Sequence, residues 1–344
     1  MNTCLEPLPV WRGETPLTCI ARREETHDCA TFELAAVDGR FDYLPGQFVS
    51  VGAEIDGKTH WRAYSISSSP TRPQTLSVTV KRVAGGRVSN WLLDQLQPGM
   101  SLPALAPAGE FRLDAGDVPP ALALFSAGSG ITPMMSITRW LLETGSKSEI
   151  HFFHSARTEA DFIFSKELLA LAEASPNLHL HLFLTRPQGG IACHTGRIDG
   201  ERLKSLLPKT QNLRAWLCGA DAYMDSVAGW LREAGLPGEA ILRESFTPPA
   251  NEIADDAVRY RLDVPAFGKR AEIVAGESLL DAMEREGLPI IGACRTGVCG
   301  SCKCKVESGE VASSSSMPLT QDEIEAGYVL ACSSTAKADL VVAL

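Results

Sequence analysis

Four cysteines near the C-terminal end of the chain have a spacing suited to metal ligation. Cys294, Cys299 and Cys302 follow the pattern C-x4-C-x2-C, and Cys332 comes later in the chain. This pattern is typical of plant-type [2Fe-2S] ligation, in which two irons bridged by two sulfides take two thiolates each. A zinc knuckle is the alternative, but zinc favours two close Cys pairs or Cys with His in a tetrahedral arrangement. We therefore predict that these four thiolates hold a [2Fe-2S] cluster.

Two glycines and a fifth thiol lie among these ligands. Gly297 and Gly300 let the backbone wrap closely around the cluster, so that N–H groups can reach the sulfurs. Cys304 falls on an alternating strand directly after Cys302, and we interpret it as a packed core residue. We also expect most of the remaining, scattered cysteines to be small buried hydrophobic residues: Cys4, Cys19, Cys29, Cys193 and Cys218.

A short segment far from the cluster cysteines combines a cation, an aromatic ring and a hydroxyl. Arg62, Tyr64 and Ser65 could hold, in turn, a pyrophosphate, an isoalloxazine ring and the polar edge of that ring. The alternative is an exposed strand with an aromatic residue on its core face, which is a common arrangement. The segment by itself does not separate these two interpretations.

A glycine pair follows in the same part of the chain. Gly85-Gly86-Arg87-Val88-Ser89 precedes a predicted helix from Ser89 to Leu96, with Ser89 as its N-cap, so backbone amides there can face a phosphate. An ordinary glycine turn with a serine cap is the alternative. The position of this turn near Arg62 and Tyr64 favours phosphate binding.

Two further loops end apolar strands and begin helices. In the segment from Gly128 to Pro133 we predict Thr132 as N-cap and Pro133 as the first helical residue, and Cys218-Gly219 forms the second loop. Although neither is a GxGxxG fingerprint, both have the position of ligand loops at the carboxyl ends of parallel strands. Together they could hold one dinucleotide. In addition, Arg186 ends a strand where its guanidinium could meet a 2'-phosphate.

The arrangement of elements predicts three domains. Short alternating strands from Leu17 to Leu113 indicate an antiparallel barrel. After Asp117, apolar strands alternate with helices, which indicates an α/β domain with a parallel sheet. Pro248-Pro249 marks a linker, after which an α+β domain begins. The predicted ranges are 1–16 for an N-terminal extension, 17–116 for the barrel, 117–247 for the nucleotide domain, 248–258 for the linker and 259–344 for the last domain.

Element bounds within the second and third domains follow from the apolar runs and the cap residues. Ser278 is the predicted N-cap of the helix in the third domain. The predicted strands are Ala121–Phe125, Ile150–His154, Leu178–Leu184, Ala215–Cys218, Tyr260–Val264 and Ala271–Val274, and the predicted helices are Pro133–Glu143, Glu167–Glu173, Ala222–Glu233 and Leu279–Glu286.

Composition limits the kinds of function. The chain has 344 residues, of which 44% are hydrophobic and 22% charged, values typical of a folded protein of several domains. A formal net charge of −10 argues against nucleic-acid binding and suits a protein partner with a basic docking surface. No stretch is apolar over the roughly 18 residues that a bilayer span needs, and the start lacks the pattern of a signal peptide. We therefore expect a cytoplasmic protein that binds neither nucleic acid nor membrane.

These motifs, in their order along the chain, resemble the ferredoxin-NADP reductase superfamily fused to a plant-type ferredoxin domain. The resemblance spans about residues 17 to 344 and implies a β-grasp fold for the last domain. It is closest to the reductases of Rieske-type quaternary-amine demethylases and of the hybrid-cluster protein. The motifs that carry it are RxYS at Arg62–Ser65, GGxxS at Gly85–Ser89, GxGxxP at Gly128–Pro133, CG at Cys218–Gly219 and the four cysteines.

The resemblance also implies roles for individual residues. Ser65, Thr132 and Cys218 would act where flavin and nicotinamide meet, with Ser65 near flavin N5 and Cys218 near the nicotinamide carbon that gives hydride. FAD is the expected flavin, although relatives with this domain order can use FMN. With Arg186 added, the residues expected to contact FAD or the nucleotide, NADH or NADPH, are Arg62, Tyr64, Ser65, Val80, Gly86, Val88, Ser89, Gly128, Gly130, Thr132, Pro133, Arg186, Cys218, Gly219, Glu244 and Phe246.

The expected function is electron transfer from NAD(P)H through FAD and the cluster to a protein acceptor. A nicotinamide gives two electrons and a cluster accepts one, so a flavin must divide the pair. The resemblance implies a Rieske-type monooxygenase component of the quaternary-amine demethylase type as acceptor, or alternatively a hybrid-cluster protein. We expect it to dock at the loop from Arg295 to Ser301. A redox sensor subunit and a direct small-molecule reductase are the other open classes, and we expect a monomer or a weak homo-oligomer.

Overall fold

The structure, a computed structural model, describes residues 8–208, 212–247 and 258–344. Two compact units divide the chain: one consists of the residues up to Phe246 without Trp61–Ala63, and the other begins at Thr247 and also includes Trp61–Ala63. Cys4 and almost all of the predicted linker lie outside the described residues. In the described ranges, no helix is both long enough and apolar enough to cross a bilayer.

The first unit begins with a closed barrel. Its strands are β1 Leu17–Thr26, β2 Cys29–Ala36, β3 Phe48–Ile55, β4 Lys58–Ser65, β5 Thr75–Lys81 and β6 Ser101–Leu102, and its helix is α1 Arg87–Gln95. One antiparallel sheet has the order β5-β2-β1-β6, and β3 pairs with β4. Bridges from Ile66 to Val78 and from Val51 to Ala104 join the two sheets into a ring. This ring confirms the predicted antiparallel barrel.

Helix α1 begins two residues before the predicted Ser89. It starts at Arg87 with Gly86 as N-cap, and Ser89 lies in its first turn without capping it. A Cβ on Gly86 would lie 2.4 Å from Ser89 Oγ, so only glycine lets the turn close this tightly. The helix packs Val88 and Leu92, one turn apart, into the barrel core.

A six-stranded parallel sheet forms the rest of the first unit. Its strands are β7 Ala121–Ala127, β8 Glu149–Ala156, β9 Leu178–Leu184, β10 His194–Thr195, β11 Leu213–Cys218 and β12 Ile241–Glu244, and its helices are α2 Ile131–Glu143, α3 Ser165–Ala174, α4 Gly200–Leu206 and α5 Asp221–Glu233. The order is β10-β9-β8-β7-β11-β12, with all pairs parallel, as predicted. Because the order reverses between β7 and β11, the loops after these strands border the crevice where such sheets bind ligands.

Both faces of this sheet are buried. Leu122 and Leu124 of β7 pack with residues of α2 in one core cluster, whereas Ala123 and Phe125 pack with residues of α5 in another. Both alternating sets of side chains on β7 are therefore apolar, which is typical of a parallel strand covered on both sides. Burial of one Leu or Phe side chain contributes about 1.5–3 kcal/mol.

Helix α2 also begins before its predicted residue. A 3-10 turn from Gly128 to Gly130 leads directly into the helix at Ile131. Thr132 is therefore the second helical residue and not the N-cap, and its hydroxyl donates to the carbonyl oxygen of Ser129 at 3.0 Å. The backbone of Gly130 is already close to helical, with φ −62° and ψ −4°, which explains the earlier start.

The second unit is a mixed sheet with a helix packed on it. Its strands are β13 Arg259–Val264, β14 Lys269–Val274, β15 Lys303–Ser308, β16 Val311–Ser313, β17 Tyr328–Leu330, β18 Ser334–Ala336 and β19 Leu340–Ala343, and its helices are α6 Leu279–Arg285 and α7 Gln321–Glu325. Five strands have the order β14-β13-β19-β15-β17. Helix α6 follows its predicted N-cap, Ser278, and buries Leu279, Leu280 and Met283. This arrangement confirms the expected β-grasp fold.

Candidate functional site

The two predicted nucleotide loops meet at the carboxyl edge of the parallel sheet. A Cβ on Gly130 would lie 2.1 Å from the carbonyl oxygen of Cys218 and 2.9 Å from the amide nitrogen of Gly219. A Cβ on Gly219 would in turn lie 3.0 Å from the Cβ of Ala127. Glycine at both positions therefore lets the loop after β7 approach the loop after β11, and Gly128 begins the 3-10 turn of the loop after β7 at φ +55°.

Cys218 lies at the centre of this contact. Its Cα is in register with Ser126 on β7 and with Glu244 on β12, and its side chain is fully buried. Burial, and secondarily the Glu244 carboxylate, raises the pKa of the Cys218 thiol well above its usual range. The thiol stays protonated at neutral pH, so this cysteine is suited to contact a ligand and unsuited to act as a nucleophile.

Ser65 of the barrel reaches the same place. It is buried at the end of β4, and its Oγ donates to Glu244 Oε2 at 3.4 Å. Ser65, Cys218 and Glu244, predicted from separate motifs, are therefore brought together. Thr132 and Pro133 are buried at the start of α2, with the Thr132 hydroxyl occupied by a backbone carbonyl. Phe246 is exposed beyond β12.

The predicted flavin residues lie on the barrel. Arg62 and Tyr64, two positions apart on β4, share a face of that strand, with Arg62 exposed and Tyr64 partly buried against the barrel core. Gly86 leads into α1, whose first-turn amides at Val88 and Ser89 are donors that a phosphate can use. The side chains of Val80 and Val88 belong to the barrel core, so these two residues can offer a ligand only their backbone.

An arginine that the sequence did not single out joins the barrel to the parallel-sheet domain. Arg139 of α2 donates two hydrogen bonds to the Glu167 carboxylate at 2.8 and 2.6 Å and a third to the carbonyl of Ser67. Its guanidinium also lies 4.9 Å from the ring centroid of Phe164. Burial alone would raise the pKa of Glu167, but the Arg139 guanidinium lowers it below its usual value. No sequence signal marked Arg139, because a charged residue on a helix is usually solvated.

Arg186 lies further along the same sheet edge. It is exposed after β9, and its N–H donates to the carbonyl of Arg157 at 2.7 Å. The Glu159 carboxylate, also not predicted, accepts from the amides of Gln188 and Gly189 at 2.9 Å and fixes the segment after Arg186. Three strand spacings of about 4.8 Å separate β9 from β11. The edge therefore suits an extended ligand such as a dinucleotide.

The four predicted ligand cysteines come together in the second unit. The thiol of Cys299 contacts that of Cys294, and the thiol of Cys332 contacts those of Cys294 and Cys302. Backbone amides reach two of the sulfurs: Thr296 donates to Cys294 Sγ and Cys332 donates to Cys302 Sγ, each at 3.4 Å. These N–H donors are what a cluster's sulfurs require.

The positions of the four sulfurs distinguish a [2Fe-2S] cluster from a single zinc ion. A tetrahedral ion would bring all ligand atoms within about 4 Å of one another. In the part of the chain that the structure describes, only Glu149, His151 and His179 place three potential ligand atoms within 4.8 Å of one another. The four thiols do not form such a group, which fits two irons better than a single ion.

The other cysteines are mostly core residues, as predicted. Cys304 is buried in the second unit, where burial raises its pKa to about 12. Cys19, Cys29 and Cys218 are buried in the first unit, whereas Cys193 is only half-buried.

Family comparisons agree with this division of sites. An oxidoreductase FAD-binding domain matches residues 16–113, an oxidoreductase NAD-binding domain matches residues 124–229, and a 2Fe-2S iron-sulfur cluster binding domain matches residues 265–337. These ranges fall within the barrel, the parallel-sheet domain and the second unit. The expected cofactors, FAD, a nicotinamide nucleotide and a [2Fe-2S] cluster, are thereby confirmed.

Individual relatives match over nearly their full length. The glycine betaine monooxygenase reductase subunit of Pseudomonas aeruginosa is 35% identical, with 96% of this chain and 95% of the relative covered. NADH oxidoreductase HCR of Escherichia coli is 34% identical, with 93% and 94% covered. The structure of phthalate dioxygenase reductase aligns with a TM-score of 0.67 at 25% identity, with 96% of this chain and 98% of that chain covered. The chain therefore belongs to the family of NAD(P)H-dependent electron-transfer reductases that carry FAD and a [2Fe-2S] cluster in one polypeptide.

Proposed function

We propose that this chain is the reductase component of a two-component monooxygenase acting on a quaternary amine and that its acceptor is the Rieske-type terminal component. The observation that carries this proposal is the end-to-end similarity to the glycine betaine monooxygenase reductase subunit, which includes all three cofactor domains. A hybrid-cluster protein is the second candidate acceptor, because NADH oxidoreductase HCR is similar over a comparable length.

We further propose how the chain's own residues serve this transfer. Gly130 and Gly219 let the two loops meet at the sheet edge, and the open position of Gly128 leaves room for the nucleotide beside them. The protonated thiol of Cys218 contacts the nicotinamide, and Ser65, held by Glu244, meets the flavin edge. The side chains of Ser65 and Cys218 are buried, which limits the access of water to them. The chemistry that FAD supplies there is the division of one two-electron transfer into single-electron transfers.

The remaining proposed contacts concern the outer parts of the cofactors. Arg62 and the amides at the start of α1 would hold the FAD pyrophosphate, and Tyr64 would pack on the isoalloxazine ring. Arg186 would meet the 2'-phosphate of NADPH. The cluster ligands would be Cys294, Cys299, Cys302 and Cys332, in a domain that we propose to begin near residue 259 after a linker at 248–258.

The test compares variants of two cysteines that lie two positions apart in the sequence. In the full-length protein, Cys302→Ser removes a proposed ligand and Cys304→Ser removes a buried thiol that is not a ligand. We expect both variants to reduce ferricyanide with NAD(P)H, since this acceptor takes electrons from the flavin. Only Cys304→Ser should drive NAD(P)H consumption by the Rieske-type component of glycine betaine monooxygenase.

Two results would decide against the proposal. If Cys302→Ser drives the Rieske-type component at the wild-type rate, the cluster is not on the electron path. If the wild type reduces a hybrid-cluster protein rapidly and the Rieske-type component hardly at all, the second candidate acceptor replaces the first.

A further inference from the structure

Three potential metal ligands lie on two neighbouring strands of the parallel sheet. His151 on β8 is directly in register with His179 on β9. Glu149 is two residues before His151, so its side chain is on the same face of β8. The ligand atoms of these three residues all lie within 4.8 Å of one another.

The distances among them are close to those of a coordinated ion. Glu149 Oε2 lies 3.6 Å from His151 Nε2 and 3.6 Å from His179 Nε2. A tetrahedral zinc ion with bonds of about 2.0–2.2 Å separates its ligand atoms by about 3.4 Å. A shift of a few tenths of an ångström would therefore complete the coordination. The side chains of Glu149 and His179 are free to shift by this amount, because they are 58% and 40% exposed.

A second interaction orients the buried histidine. His151 Nδ1 lies 3.3 Å from Nε2 of His181, which is on the same face of β9. When His151 donates this N–H, its Nε2 has a lone pair that a metal ion can use. That Nε2 is buried and has no hydrogen-bond partner among the described residues, although buried polar atoms are nearly always satisfied. Histidines that bind metals commonly donate their other N–H in this way.

Glu149, His151 and His179 lie apart from the residues proposed to bind the flavin and the nucleotide. Glu149 begins β8 and His179 is the second residue of β9, so the three ligands lie at the amino ends of these strands. Gly130, Cys218 and Arg186 belong to the carboxyl ends of their strands, at the opposite edge of the sheet. Substitutions at the amino edge should therefore leave flavin reduction unchanged.

We propose that Glu149, His151 and His179 form a binding site for a divalent transition-metal ion with the preferences of Zn²⁺, and that His181 positions His151. Two imidazoles and one carboxylate form a ligand set that zinc uses, with the fourth position left for water. Hard ions such as Mg²⁺ prefer oxygen ligands and should bind poorly.

The test measures zinc uptake by the tag-free holoprotein with its cluster absorbance intact. Isothermal titration with ZnCl₂, and metal analysis after dialysis, should show one zinc ion per chain for the wild type. Glu149→Gln and His179→Ala should each weaken binding by at least tenfold, and His27→Ala, which removes an exposed histidine on the barrel, should not. All variants should keep wild-type ferricyanide reduction, which reports on folding.

The positioning role of His181 has its own readout. The ring of His181 stacks on those of His151 and Phe153. His181→Phe keeps an aromatic ring there but removes the acceptor, and we expect about tenfold weaker zinc binding. His181→Gln, whose amide oxygen can still accept, should restore most of the affinity. Absence of stoichiometric zinc binding, or equal binding by Glu149→Gln, His179→Ala and His27→Ala, would overturn the proposed site. Equal affinity of His181→Phe and wild type would overturn the role of His181.

Discussion

A fully buried histidine makes the parallel sheet sensitive to acid. His154 on β8 stacks on Phe162 with 5.1 Å between ring centroids, and its Nδ1 lies 2.9 Å from Ser126 Oγ. Its Nε2 has no hydrogen-bond partner in the described part of the chain. Burial lowers the pKa of His154 to about 3. The neutral imidazole is therefore the form that the folded protein holds.

This lowered pKa predicts how stability depends on pH. Between pH of about 6.5 and about 3, the unfolded chain binds a proton at His154 that the folded chain does not. Stability is therefore fully present above that range and falls by about 1.4 kcal/mol per pH unit within it. When the pH is lowered from 7 to 5, we expect the melting temperature of His154→Phe, measured by calorimetry, to fall less than that of the wild type. His27→Phe, which replaces an exposed histidine, is the control. If the melting temperature of His154→Phe falls as much as that of the wild type, the prediction is contradicted.

We expect nucleotide choice to depend on Arg186, whose side chain is exposed. A charged hydrogen bond contributes about 1.5–3 kcal/mol, so Arg186→Ala should lower kcat/KM for NADPH by roughly tenfold to a hundredfold and leave that for NADH nearly unchanged. Arg232→Ala, at the end of α5, is the control for lost charge. An NADPH preference that survives Arg186→Ala would remove the proposed role.

At the scale of elements, the loops after β7 and β11 are in close contact at the sheet edge. Gly130→Ala would place a Cβ 2.1 Å from the Cys218 carbonyl oxygen, and the loops would have to separate. Overpacking of this kind destabilises by about 1–3 kcal/mol. We expect a lower melting temperature and slower flavin reduction by NAD(P)H in stopped-flow measurements.

A glycine in an open position provides the control for this change. Gly229 lies within α5, and apart from its chain neighbours and the backbone of its own helix, no described atom comes within 4 Å of where its Cβ would be. Gly229→Ala should therefore stabilise the helix by up to about 1 kcal/mol and leave flavin reduction unchanged. Equal behaviour of the two alanine variants would show that the loop contact does not matter.

The elements also show what the sequence could predict. β9 has its predicted bounds, because an apolar run with turn residues at both ends defines a buried strand. The starts of α1 and α2 were predicted wrongly, because the preference of Ser and Thr for N-caps was outweighed by tight turns at Gly86 and Gly130. Arg139 and Glu159 could not be predicted at all, because their partners are distant in sequence.

At the scale of the whole molecule, two basic side chains near the [2Fe-2S] ligands, those of Arg295 and Lys303, already form ion pairs. Arg295 forms ion pairs with Glu284 and, at 2.8 Å, with Asp281. Lys303 pairs with Glu323 at 2.7 Å. Arg295→Glu would put a third carboxylate beside two others and disturb the loop itself. The expected docking of the acceptor at residues 295–301 therefore needs a different probe.

Met317 is that probe. It is 56% exposed, and its neighbours cover the cluster loop, since Ser315 Oγ donates to the Gly297 carbonyl at 2.7 Å. We expect Met317→Asp to slow electron transfer to the protein acceptor by roughly tenfold, because burial of a Met side chain contributes about 1.5–3 kcal/mol. Ferricyanide reduction should not change.

A substitution on the barrel is the matched control for this prediction. Val37 is 73% exposed, and Val37→Asp adds the same charge far along the sequence from the cluster loop. Turnover with the acceptor should also depend on ionic strength. Equal rates for the two variants, at every salt concentration, would exclude docking beside Met317.

The unequal burial of the cysteines gives the protein a site for attaching an optical label. In residues 8–208, 212–247 and 258–344, Cys193 is the half-buried thiol outside the cluster set. With Cys4 replaced by serine, a maleimide fluorophore would couple to one defined position while the holoprotein keeps its cluster. Cys193 lies on the same connection between β9 and β10 as Arg186. If Arg186 meets the nucleotide as proposed, the label's emission would report the arrival and departure of the nucleotide in real time, independently of any colour change in the flavin.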